Sequence, residues 1–98
     1  MVTDYGLRPV VLKEICEIAE KCGMNHVILF GSRARGDYRE RSDIDLAVSG
    51  GKPDRFSLLV DEETSTLLKF DVVNMDGAVQ EELREMIQKE GKIIYEKV

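Results

Sequence analysis

Cysteine and histidine are scarce in this chain of 98 residues, which has two of the first and one of the second. His26 cannot complete a Cys/His zinc site by itself, and its place at a predicted strand start points to an ordinary packing or surface role. Cys16 and Cys22 stand six apart on what reads as one helix. That spacing is a rotation of about 600°, which points the thiols apart and prevents a bridge within the helix. Both are therefore expected as reduced thiols of a cytoplasmic protein. Long apolar runs are missing too. The longest, Val27 to Phe30, falls far short of a bilayer span, so no membrane partner is expected. The first four residues have neither the basic stretch nor the apolar core of a secretory leader. Positive charge is in deficit, with 14 Lys and Arg against 19 Asp and Glu for a net charge of −5. An acidic chain repels a phosphate backbone, which argues against general nucleic-acid binding.

What is present suits one globular domain over residues 1–98. Hydrophobic residues make up 43 % and charged residues 34 %, too apolar for a disordered chain, and the length leaves no room for a second core. Apolar residues at 7, 10, 11, 15, 18, 19 and 22 predict a helix from Leu7 to Cys22, with Pro9 in its first turn and Gly23 as its stop. Val27 to Phe30 reads as a buried strand ending at Gly31, followed directly by a short helix from Ser32 to about Gly36. Asp43 to Val48 reads as a second strand. Phe56, Leu59, Val60 and Leu67 predict a helix from about Asp54 to Leu68, and Phe70 to Asn74 a third strand. A fourth helix, capped by Asp76, carries Val79, Leu83, Met86 and Ile87 and closes at Gly91; Ile93 to Tyr95 forms a last short strand. This α-β alternation predicts an α/β (α+β) domain of about four strands flanked by helices, and by itself leaves a parallel and a mixed sheet both open.

The chemistry concentrates between Phe30 and Leu46. In a strand, residues two apart share a face, so Asp43 and Asp45 project together, with Cα atoms about 6.5 Å apart, while Ile44 and Leu46 turn to the core. Paired carboxylates on a rigid strand suit a hard cation such as Mg²⁺ or Mn²⁺. Gly31 lacks a Cβ and admits close approach to the backbone. The N–H groups opening the next helix attract phosphate, and Ser32 adds a hydroxyl donor. Arg33 or Arg35 can neutralise phosphate charge from the same turn. Four arginines between Arg33 and Arg41 give that stretch a balance of +2 in a chain that is otherwise −7, which marks a local anion site rather than a basic face. Asp71 is the one charge in an apolar strand. If that strand lies beside the Asp43–Asp45 strand, three carboxylates meet, and with divalent ions they suit in-line phosphoryl chemistry in which Asp71 also takes the attacking hydroxyl's proton.

Each feature alone has an ordinary explanation: a solvated strand face, a common turn, exposed charge, or an edge-strand acid that discourages aggregation. Their joint order and spacing resemble the nucleotidyltransferases of the DNA polymerase beta superfamily. The run Gly-Ser-Arg-Ala-Arg-Gly followed by Ser-Asp-Ile-Asp-Leu is similar to the minimal nucleotidyltransferase subgroup. That resemblance implies a mixed sheet of the polymerase beta-like fold. It implies Gly31 and Ser32 at the triphosphate, to which the residues themselves add Arg33 as the nucleotide-binding arginine, and Asp43, Asp45 and Asp71 as metal ligands around two ions once nucleotide is bound. It further implies transfer of AMP from ATP to a tyrosine of a helical HEPN-type toxin, with this chain as the antitoxin.

Three functions fit these residues. The first is nucleotidyl transfer to a partner protein. The second is a binding module that neutralises a partner by complex formation alone, the acids being idle. The third is transfer to a small-molecule hydroxyl, which the lack of an enclosing domain disfavours. A chain this short is expected to need a partner chain or a second copy of itself to complete the cleft.

Overall fold

The computed structural model describes residues 5–98; the first four residues, and with them the reading that they form no leader, lie outside it. Four helices and four strands alternate: α1 (Pro9–Lys21), β1 (Met24–Phe30), α2 (Ser32–Arg35), β2 (Ile44–Gly50), α3 (Pro53–Glu63), β3 (Phe70–Asn74), α4 (Glu81–Glu90) and β4 (Lys92–Glu96). The strands form one mixed sheet in the order β3-β2-β1-β4. β1 runs antiparallel to both β2 and β4, whereas β2 and β3 are parallel. Parallel neighbours need a crossover, and α3 supplies it.

Each face of the sheet is covered differently. On one face Val27, Leu29, Ile44, Leu46 and Val48 join Val11, Ile15 and Ile18 of α1 and Phe56, Leu59 and Val60 of α3 in the larger core. The apolar stripes of α1 and α3 thus meet the alternate residues of β1 and β2. Both helices start on proline, whose missing N–H costs nothing there. On the other face Phe30 and Ala47 pack under Ile87 of α4, with Ile28, Val73, Met75, Leu83 and Met86 around them. β2 is therefore apolar on both sides except at Asp45, its one charged residue.

Several boundaries differ from those expected. α3 ends at Glu63 instead of reaching Leu68, because Thr64-Ser65-Thr66 leaves the helix. Ser65 is held instead by Glu14 of α1, whose carboxylate accepts from its N–H at 2.7 Å and its hydroxyl at 2.6 Å. These bonds hold the Glu14 carboxyl below the usual carboxylate range. Arg8 donates to the Ser65 carbonyl from the same side. Leu67, expected on the buried stripe, is consequently fully exposed. Asp76 does not cap α4, which begins at Glu81; it accepts the Gly50 N–H at 2.7 Å and ties the end of β2 to the loop after β3. β1 starts at Met24, so His26 lies inside the strand, with Nδ1 3.2 Å from the Ser49 hydroxyl and Nε2 3.4 Å from Glu96. The cysteines are free, as expected. Cys16 donates to the Ile94 carbonyl, and its burial pushes the thiol pKa up, keeping it protonated. Among the described residues no helix is long and apolar enough to cross a membrane.

Phe56 is fully buried between α3 and the sheet. Phe56→Ala is expected to cost about 3–5 kcal/mol in denaturant unfolding. Leu67→Ala, at a position the sequence pattern had placed in the core, should stay within about 0.5 kcal/mol of the parent.

Candidate active site

The site lies on the α4 side of the sheet, the face that also carries Phe30, Ala47 and Val73. Asp45 pairs in register with Phe30 of β1 on one flank and with Asp71 of β3 on the other. Residues paired across a sheet share a face, so Asp45 and Asp71 stand side by side. Asp43, two residues before Asp45, lies just ahead of the strand; Asp43 and Asp71 are exposed while Asp45 is half-buried. The parallel register of β2 and β3 is what unites acids 26 and 28 residues apart in sequence.

Gly31 follows Phe30 and sits directly against Asp45. Its backbone lies at φ 79°, ψ −156°, a region essentially reserved for glycine. A Cβ at this position would also overlap a carboxylate oxygen of Asp45. Glycine is thus required twice, for the turn and for the close approach of backbone to acid. Ser32 opens α2, whose first N–H groups have no acceptor within the helix.

The arginines have separate roles. Arg33, expected at the triphosphate, is 2 % exposed. It donates to the carbonyls of Tyr5 at 3.0 Å, Glu40 at 3.2 Å and Ser42 at 2.9 Å and 3.2 Å. Its guanidinium carbon lies 4.9 Å from the centre of the Tyr38 ring. Arg33 therefore fastens the loop that carries Asp43 to the turn at Tyr5 that precedes α1; its donors are spent on backbone, not turned to a ligand. Arg35, at the other end of α2, is the more accessible cation. It bonds Asp37 at 3.2 Å and Glu90 of α4 at 3.1 Å.

The charges interact. Burial raises the Asp45 pKa first, the neighbouring Asp71 and Asp43 carboxylates raise it further, and Arg35 and Arg33 offset part of this. Negative charge is thus concentrated beyond what the local arginines neutralise. The donor set is all carboxylate oxygen, which fits a hard divalent cation. Among the described residues no group of three or more His, Cys, Asp or Glu is set to hold a metal ion, so the acids are neighbours rather than a finished coordination shell.

Comparison with known proteins agrees with this geometry. The model of the polymerase beta nucleotidyltransferase family matches residues 13–98. The chain belongs to that family. A Methanocaldococcus jannaschii protein named "putative protein adenylyltransferase" is 38 % identical over 78 residues, 70 % of this chain and 76 % of the relative. The fold resembles a toxin–antitoxin structure with AMP-PNP at a TM-score of 0.72 and 19 % identity, covering 88 % of this chain and 73 % of that one. A mutant MntA–HpeT toxin–antitoxin structure matches at 0.70 and 17 % identity, with the same coverage. This nucleotidyltransferase shares the mixed sheet of those neighbours, as the resemblance of its motifs implied.

Sequence reasoning missed the buried role of Arg33 and the bonds of Arg35 to Asp37 and Glu90. Burial of an arginine by main-chain carbonyls has no local pattern. The end of α3 did have a signal, in the Thr-Ser-Thr run whose side chains compete for backbone bonds.

Two expectations follow. Arg33→Met leaves the part-buried carbonyls of Tyr5, Glu40 and Ser42 without these donors and should cost about 2 kcal/mol or more of stability, read by thermal melting; an unchanged melting temperature would contradict the fastening role. The folded state holds the Asp45 proton more tightly than the unfolded chain does, so stability falls as pH rises through that raised pKa. Asp45→Asn should therefore melt higher than the parent in EDTA at about pH 7.5, with the gap closing near about pH 3, where the carboxyl is protonated in both states.

Proposed function

We propose that this nucleotidyltransferase moves the AMP portion of ATP onto a hydroxyl of a partner protein, a tyrosine of a helical HEPN-type toxin, and so acts as the antitoxin. One observation carries the reading: Asp45 lies between the Gly31 turn and Asp71, so a phosphate-accepting backbone and a row of acids occupy adjacent positions on one sheet face. The names of the relatives support the adenylyl group and the toxin–antitoxin setting. The mutant neighbour carries two Asp-to-Glu changes two residues apart, the spacing of Asp43 and Asp45.

In this scheme Gly31 and Ser32 receive the triphosphate through backbone N–H groups and the Ser32 hydroxyl. Arg35 is the cation placed to meet phosphate charge, since Arg33 is committed to the Asp43 loop. Asp43, Asp45 and Asp71 are the residues that would hold Mg²⁺ or Mn²⁺, two ions with nucleotide bound, which would neutralise the phosphates and polarise the phosphorus. The acceptor oxygen attacks the α-phosphorus, and a new P–O bond forms as the bond to the bridging oxygen of the β-phosphate breaks. Pyrophosphate leaves with that electron pair. Asp71, on the strand at the sheet edge, takes the proton of the attacking hydroxyl and passes it to water.

With α-labelled ATP, Mg²⁺ and the product of the neighbouring gene, the parent chain should label that partner. Asp43→Asn should lower the rate by about a hundredfold or more. Labelling that persists at the parent rate in the variant would sink the assignment. Protection of cells by an Asp43→Asn chain that no longer labels would instead favour neutralisation by binding.

A further inference from the structure

A cavity of about 450 Å³ adjoins Asp43 and has no role in the proposed transfer; Arg41, Asp43, Leu67, Leu68 and Lys69 line it. It opens where β2 and β3 begin. The two approaches are stitched together there by the Ile44 N–H, which donates to the Lys69 carbonyl at 2.8 Å.

Its position relative to Asp45 matters. The Gly31 turn lies on the β1 flank of Asp45, and β3 lies on the opposite flank. In-line displacement puts the entering and leaving oxygens on opposite sides of phosphorus. With the triphosphate at Gly31 and Ser32, pyrophosphate departs on the β1 side, so the attacking oxygen must arrive from the β3 side, where the cavity opens.

The lining suggests what arrives. Leu67 is a fully exposed leucine at the rim, an apolar surface that the described residues leave uncovered. Arg41 and Lys69 are exposed, and among the described residues neither forms an ion pair, whereas Arg35 of the same basic island is paired twice. In a chain of net charge −5, two unpaired cations beside a bare leucine form a local patch complementary to an acidic, ring-bearing segment.

We infer that this cavity docks the acceptor segment of the partner protein, a tyrosine set among acidic residues, with Leu67 against the ring and Arg41 and Lys69 facing the flanking carboxylates. The inference rests on the transferase reading for its direction of attack, but binding can be measured without transfer.

The test uses the ¹⁵N-labelled chain and two capped model peptides, one with tyrosine flanked by Asp and Glu, the other with tyrosine flanked by Lys and Arg. The acidic peptide should shift the amide signals of Arg41, Leu67, Leu68 and Lys69, bind about tenfold more tightly than the basic one, and lose that advantage in the R41E/K69E double variant. The preference should also fade at about 0.5 M salt. Unmoved signals at these four residues, or equal binding of both peptides, would overturn the inference. So would shifts of Leu67 and Leu68 by MgATP alone, since the nucleoside would then own the cavity. Docking as expected with no label passed from ATP to any acceptor would leave this inference standing and remove the transferase reading. Partner labelling whose KM is the same in parent and R41E/K69E would do the reverse.

Discussion

The parallel pairing of β2 with β3 is the constraint on which the site depends. It places Asp71 beside Asp45 at a cost the fold must absorb, because two like charges share one face and one of them is half-buried. The rest of the molecule holds that arrangement in place. α3 spans the crossover, Ile44 is bonded to the Lys69 carbonyl, and Asp76 secures the far end of β2. The apolar residues on both sides of Asp45 keep β2 from shifting, since a slip by one residue would bury the acid in the core and expose Leu46.

A second layer of support comes from Arg33. It is a buried cation that, among the described residues, forms no ion pair and is satisfied by main-chain carbonyls and the face of Tyr38. Buried charge is tolerated only when its donors are matched, and the loop from Glu40 to Ser42 provides the acceptors. The basic island of the sequence therefore divides by depth: Arg33 shapes the loop bearing Asp43, Arg35 stands between α2 and α4 near the acids, and Arg41 reaches the cavity rim. A net local charge of +2 concealed three distinct jobs.

Pre-organisation here is incomplete. Among the described residues the carboxylates form no group set to hold a metal ion, and burial, with the repulsion of Asp71 and Asp43 added, raises the Asp45 pKa. A site of this kind stores unfavourable charge that cations and a polyphosphate ligand can relieve, so stability is given up where chemistry is done. Glycine at position 31 belongs to the same economy, because no other residue permits both its backbone angles and the approach of Asp45.

The amino-acid order by itself determined the alternating elements, the apolar stripes of α1 and α3, the half-buried placing of Asp45 opposite the core-facing Ile44 and Leu46, and the turn at Gly31, because each of these follows from local periodicity or from the steric freedom of one residue. It also carried the motif spacing that resembled the family. The tertiary structure decided what depends on distant partners. The parallel register that sets Asp71 against Asp45 could not be read from strand order. The tie of Ser65, past the end of α3, to Glu14, 51 residues away, came from the fold. The burial of Arg33, which looked in sequence like one more exposed arginine, was settled by carbonyls from two separate loops. Local patterns report which face a side chain turns to; only the folded chain determines which groups that face meets.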